Sequence, residues 1–123
     1  MEEVVVTHAV RTPIGRMGGS LKDVPDKELG RLVIRDLLKR SGVAGNEIQH
    51  VIMGHVRQSS DPTNVARVAA LLGDIPETVP AYTVHRQCGS GLQAVMDAFQ
   101  IIRAGGADII VAGGTENMSN SVY

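Results

Sequence analysis

The sequence predicts an α/β fold, a βαβαβαβ unit with a mostly parallel sheet flanked by helices. Short apolar runs of strand length alternate with longer stretches of helical periodicity, and glycines and prolines mark the changes from one to the other. Hydrophobic residues make up 43% of the 123-residue chain and aromatic residues only 2%, so the core is built from Val, Ile, Leu, Met and Ala. Alternation of this kind lays strands side by side in parallel, with helices packed across them.

Val4-Val5-Val6 reads as a buried first strand. The Gly-rich stretch from Thr12 to Ser20 has too little periodicity for a regular element. A helix is expected from about Asp26 to Ser41, with Leu29, Leu32, Val33 and Leu37 on one face, Asp23 or Asp26 as its cap, and Lys39, Arg40 and Gly42 at its end. His50 to Val56 reads as the second strand. Asn64 to Leu72 reads as the second helix, capped by Thr63 or Asp61 and stopped by Gly73. Pro76 and Pro80 punctuate a loop before a third strand, Ala81 to His85, where Tyr82, Thr83 and Val84 favour extended backbone. The strongest helix runs from Gly89 to Ala104; Leu92, Val95, Met96, Phe99 and Ile102 form a continuous stripe read as core. Gly105-Gly106 ends it, and Asp108 to Ala112 is the last strand, closed by Gly113-Gly114.

Composition removes several functional classes. A net charge of -1 draws the chain to neither nucleic acid nor an acidic membrane, and the shortage of aromatics argues against base stacking. No run is long and apolar enough to cross a bilayer. The acidic start Met1-Glu2-Glu3 and the three valines after it do not make a signal peptide. One cysteine cannot form an internal disulfide, and a cytoplasmic protein is the expectation. The length suits a single domain without internal repeats. The polar stretch Thr115 to Tyr123 has no terminating element and reads as an interrupted chain.

The chemistry points to Cys88, in Val84-His85-Arg86-Gln87-Cys88-Gly89-Ser90-Gly91-Leu92, between the third strand and the strongest helix. The first N–H groups of a helix have no internal partners, and the helix dipole favours thiolate over thiol there. Gly89 and Gly91 let a substrate carbonyl approach the backbone. A thiolate is both nucleophile and leaving group, as acyl transfer between thioesters requires. The competing reading is a buried structural thiol, since free cysteine is among the most buried residue types. Spacing alone leaves the two open.

Several stretches, in order, resemble the thiolase family. Gln87-Cys88-Gly89-Ser90-Gly91-Leu92-Gln93-Ala94 is similar to its N-terminal active-site segment. Arg11-Thr12-Pro13-Ile14-Gly15 with Gly18-Gly19-Ser20-Leu21 is similar to its opening, Asn64-Val65-Ala66-Arg67 to the helix before the nucleophile strand, and Ala112 to Ser119 to the end of the first sheet. The resemblance covers nearly the whole chain and is to the acetyl-CoA acetyltransferase type. It implies acetyl transfer between coenzyme A thioesters through acyl-Cys88, with the Cys88 N–H as one oxyanion donor. It further implies a coenzyme A thioester as substrate, no covalently bound cofactor, and self-association or pairing with a full-length thiolase. The complete family fold stacks two such sheet units, so this chain is expected to be an incomplete N-terminal domain lacking the loop domain and the C-terminal half.

The family also uses a Gly-His-Pro histidine, a second cysteine in Cys-x-Gly, and an Asn-Glu-Ala loop. Here there is one cysteine, and none of His8, His50, His55 or His85 precedes a proline. The chain alone is therefore expected not to complete a turnover. His85 stands where thiolases commonly have Asn, which changes the size and titration of that side chain. The alternative is a non-catalytic subunit that pairs with a full-length thiolase.

The four histidines have no metal-ligand spacing, and no metal is expected. His85, three residues before Cys88, is a weak candidate base. Gly89-Ser90-Gly91 lacks the glycines two residues either side of serine that a serine-hydrolase elbow needs. Glu116 and Asn117 follow a strand end, where ligands gather in parallel sheets, but tying the loop to the core is the simpler role. Arg11 and Arg67 are either phosphate contacts for coenzyme A or side chains in a solvated or internal salt-bridge role.

Overall fold

The computed structural model describes residues 3–121. Three strands, β1 (His50–Gly54), β2 (Ala81–Val84) and β3 (Ile110–Gly114), pair in parallel in the order β2-β1-β3. Gly54 lies opposite both Val84 and Gly114, so the three strands end level with one another. Helices α1 (Asp26–Ser41) and α2 (Val65–Leu72) cover one face, and α3 (Ser90–Arg103) covers the other. The alternation of β1 explains both layers: Val51 and Met53 join Ile34, Ala66 and Ala69 on the α1–α2 side, while Ile52 meets Ala94 and Ala98 of α3. The α/β class is as expected, with a fully parallel sheet among the described residues.

Small residues set the spacing between α1 and α2. A β-carbon on Gly30 would lie 2.9 Å from the Ala69 β-carbon, so the glycine lets the two helices approach closely. The buried residues of α1 are Gly30 and Ile34, with Leu37 and Leu38 packed at the rim of the core. The expected face was centred one position away, and Leu32 is exposed. Gly42 ends α1 in the left-handed region at φ 71°, donating its N–H to the Leu38 carbonyl.

Val4–Val6 is not a strand: it has no strand partner among the described residues and leaves Val5 and Val6 exposed. An apolar run becomes a strand only where a ladder accepts its N–H and C=O groups. The outer stretches of the other predicted strands changed too. β1 and β2 stop before Val56 and His85, and β3 starts two residues later than expected and takes in Gly113 and Gly114. Asn64, rather than Thr63 or Asp61, caps α2, its side chain accepting from the Arg67 N–H. Pro25 precedes α1 with no side-chain cap, and Asp26 is its first residue.

The largest correction concerns α3. Its expected core stripe points away from the sheet: Leu92 is 67% exposed, and Val95, Met96 and Phe99 are exposed as well. The helix rests on the sheet through Ser90, Ala94 and Ala98, with Ile101 beside them. Small residues bring its axis close to the strands, and the large ones on the opposite face form an uncovered apolar ridge.

Candidate functional site

All three strand ends meet the start of α3. Gly54 touches Ser90 and Gly91 so closely that a β-carbon on Gly54 would lie 2.4 Å from the Ser90 carbonyl carbon. The His55 N–H donates to the Val84 carbonyl at 3.1 Å, and the Thr115 N–H to the Gly54 carbonyl at 3.1 Å. The carboxyl ends of parallel strands are where ligands gather in such sheets.

Cys88 projects from this end. It is exposed, one residue before Gly89, which precedes the first turn of α3. The turn that carries it is tightly bonded. The Gly89 N–H donates to Arg86 O and the Ser90 N–H to Gln87 O. The Ser90 hydroxyl accepts from the Arg86 N–H at 2.7 Å and donates to Gln87 O at 2.6 Å. Gln87 adopts a positive φ of 48°, a conformation that costs a non-glycine residue energy and persists only where its surroundings enforce it. Ser90, buried at the centre of this bonding, is the enforcing group. A β-carbon on Gly91 would meet nothing within 4 Å, so the space beside the first turn is open. The buried-thiol reading of Cys88 does not describe this geometry.

The other sequence candidates fall into place around it. His85 is exposed. Glu116 and Asn117 do tie the loop to the body: Glu116 accepts from the N–H groups of Val56 and Arg57, and the Asn117 side-chain amide donates to the carbonyls of Leu21, Lys22 and Val24. Arg67 donates to the carbonyls of Val79 and Glu77, which makes its role internal. Arg11 is exposed and lines a cleft of about 590 Å³ between the N-terminal segment and β3; Cys88 is not among the residues lining it. Along α3, Tyr82 donates to Asp97, which also accepts from Gln93, whose carbonyl oxygen accepts from Arg86. Burial, with the Asp97 hydrogen bond and charge, pushes the Tyr82 phenol up to about 12. Among the described residues no three His, Cys, Asp or Glu side chains are grouped to hold a metal ion, and no helix is long and apolar enough to cross a membrane.

One cluster was not foreseen. The His55 side chain is buried, with Nε2 2.7 Å from Asp26 Oδ2 and 3.6 Å from Glu116 Oε2. Burial works to lower the His55 pKa, but the Asp26 hydrogen bond and the charges of Glu116 and Asp26 outweigh it and raise it above 6.5. Burial likewise pushes the Asp26 carboxyl up. The His55 hydrogen bond and charge, with the Lys27 N–H and ammonium, outweigh it and hold the group below 3.8. The only sequence signal was a polar residue closing the apolar run Val51-Ile52-Met53, which does not identify its partners.

Comparison with known proteins agrees with the motif reading. The family model described as thiolase, N-terminal domain, matches residues 4–123. A probable acetyl-CoA acyltransferase of Staphylococcus epidermidis is 50% identical over 121 residues, which cover 98% of this chain and 31% of that protein. A probable acetyl-CoA acyltransferase of Staphylococcus aureus has the same identity and coverage. The crystal structure of the Bacillus anthracis acetyl-CoA acetyltransferase superposes with a TM-score of 0.89 at 48% identity, over 93% of this chain and 29% of that one. The chain thus spans 31% of the length of these relatives.

Proposed function

From the premise that this chain belongs to the thiolase family, we propose that it carries the acyl-accepting half of a thiolase site, with Cys88 as the nucleophile. The carrying observation is the exposed sulfur on a strained, fully bonded turn at the start of α3, beside open space at Gly91. The Cys88 thiolate attacks the carbonyl carbon of the acetyl-CoA thioester, leaving the acetyl group on the sulfur. The carbon–sulfur bond to coenzyme A breaks, and coenzyme A leaves as a thiolate that takes a proton from solvent. The helix start offers partial positive charge to the sulfur and to the developing oxyanion, with the Cys88 N–H as one donor. In comparable acyl-transfer sites one such donor lowers the barrier by about 3–4 kcal/mol.

The complete family reaction needs groups this sequence does not contain: a histidine followed by proline, which activates the nucleophile, and a second cysteine, which moves the proton on the substrate's α-carbon. The 123-residue chain is therefore proposed to accept an acetyl group slowly and not to turn over alone. Intact mass after incubation with acetyl-CoA tests this. A single acetyl adduct, absent in Cys88→Ala, is the expected result; no adduct, or steady acetoacetyl-CoA cleavage by the chain alone, overturns it.

A second reading is favoured by the uncovered ridge of Leu92, Val95, Met96 and Phe99. In it the chain is a non-catalytic subunit whose α3 ridge packs against a full-length thiolase or a second copy of itself. Sluggish alkylation of Cys88 at neutral pH, together with stable association, is the outcome that selects this reading.

A further inference from the structure

Five elements converge on His55. Its N–H is bonded to the end of β2, and the preceding Gly54 accepts from Thr115 after β3 and abuts the first turn of α3. The ring reaches Asp26 at the start of α1 and Glu116 beyond β3. Asp26 is fixed in turn: its carbonyl accepts from the Thr115 hydroxyl at 2.7 Å, and its carboxylate from the Lys27 N–H. The charged groups facing the ring are thus Asp26 from α1 and Glu116 from the loop after β3, with Lys27 next to Asp26 and itself paired with Asp61. β2 and α3 present backbone at this point. The other ring nitrogen, Nδ1, is buried without a partner, so the polar anchoring of the ring falls on the two carboxylates.

We propose that His55 is a positioning residue for Cys88: gripped by Asp26 and Glu116, its ring fixes the end of β1 on which the first turn of α3 rests. The inference rests on the reading of Cys88 as the reacting sulfur. The grip is strongest when the ring is a cation facing two anions and weakens when it loses its proton. The carboxyl end of β1 then has less to hold it against Ser90–Gly91, and the Cys88 turn loses its support.

The experiment follows Cys88 alkylation by iodoacetamide across pH in the 123-residue chain, beside an NMR titration of the His55 ring. The ring is expected to titrate above 6.5. The alkylation rate per thiolate is expected to fall about threefold to tenfold at the ring's own midpoint, the scale on which small misplacements of a reacting group act. Asp26→Asn should move both midpoints down together, and His55→Gln should remove that inflection. A purely structural role predicts lower melting temperatures in the variants with no inflection tied to the ring. A wild-type profile with only the thiol inflection overturns the proposal, and that result does not depend on any variant folding. An inflection without an acetyl adduct on Cys88 would reject the acyl-transfer reading and keep the positioning role; an adduct without the inflection would do the reverse.

Discussion

Gly54 and Ser90 are packed backbone to backbone: a β-carbon on the glycine would lie 2.4 Å from the Ser90 carbonyl carbon and 2.5 Å from the Gly91 nitrogen. Neither obstacle is the end of a flexible side chain, so the clash cannot be relieved by a rotamer change. Gly54→Ala is expected to destabilise the fold by about 3 kcal/mol, the upper range for overpacking. Gly91→Ala, which would meet nothing within 4 Å, is expected to stabilise by about 0.5 kcal/mol through helix propensity. Denaturant melts of the two variants check the contrast; equal effects would contradict the packing.

Ser90 holds the Cys88 turn through two hydrogen bonds. Ser90→Ala leaves the Arg86 N–H without its acceptor and relaxes the positive φ of Gln87. A loss of about 0.5–1.5 kcal/mol for each lost hydrogen bond is expected. Cys88 alkylation should change with it. An unchanged alkylation rate in a folded Ser90→Ala chain would show that the turn does not need this serine.

The α3 ridge predicts association. Wild-type chain is expected to run above monomer mass in light scattering, and the double variant Leu92→Glu, Phe99→Glu is expected to run as monomer. Because these positions are exposed in the single chain, each change should alter monomer stability by no more than about 0.5 kcal/mol. A wild-type monomer at high concentration counts against the ridge as an interface.

The Asp26–His55 pair sets a pH window. The carboxyl of Asp26 is held below its ordinary 3.8, so its contribution is present above that value and is lost as pH falls through the folded-state pKa. The His55 pKa is raised above 6.5, so its contribution is complete below 6.5 and is lost as pH rises through the folded-state value. The stability difference between wild type and Asp26→Asn should therefore be largest between pH 3.8 and 6.5. Removing one partner from a buried pair typically costs about 3 kcal/mol or more. Melts from pH 3 to 9, with both proteins in one buffer series, read the difference directly; a flat difference would mean that the pair does not titrate as described.

Helix ends were the most legible feature of the sequence because they are set locally. Gly42, Gly73 and Gly89 mark the boundaries of α1, α2 and α3 by backbone chemistry that needs no distant partner. Val4–Val6 misled for the opposite reason, since a strand requires a neighbour that an apolar run does not specify. The stripe on α3 was read correctly as one face and wrongly as core. Periodicity says which residues share a face but not what the face meets, and the alanines that do meet the sheet carry little hydrophobic signal. The setting of Cys88, exposed just before α3, was legible because the glycines and the helix start lie next to it in sequence. The His55 cluster was not, because Asp26 and Glu116 come from positions 29 and 61 residues away in the chain.

β2 and β3 are the outer strands of the sheet, and each has a flank that no strand among the described residues occupies. Such a rim is a template on which any extended peptide, from the same chain or another, can zip by main-chain bonds. Keeping the protein dilute is therefore expected to protect those rims from pairing with other chains.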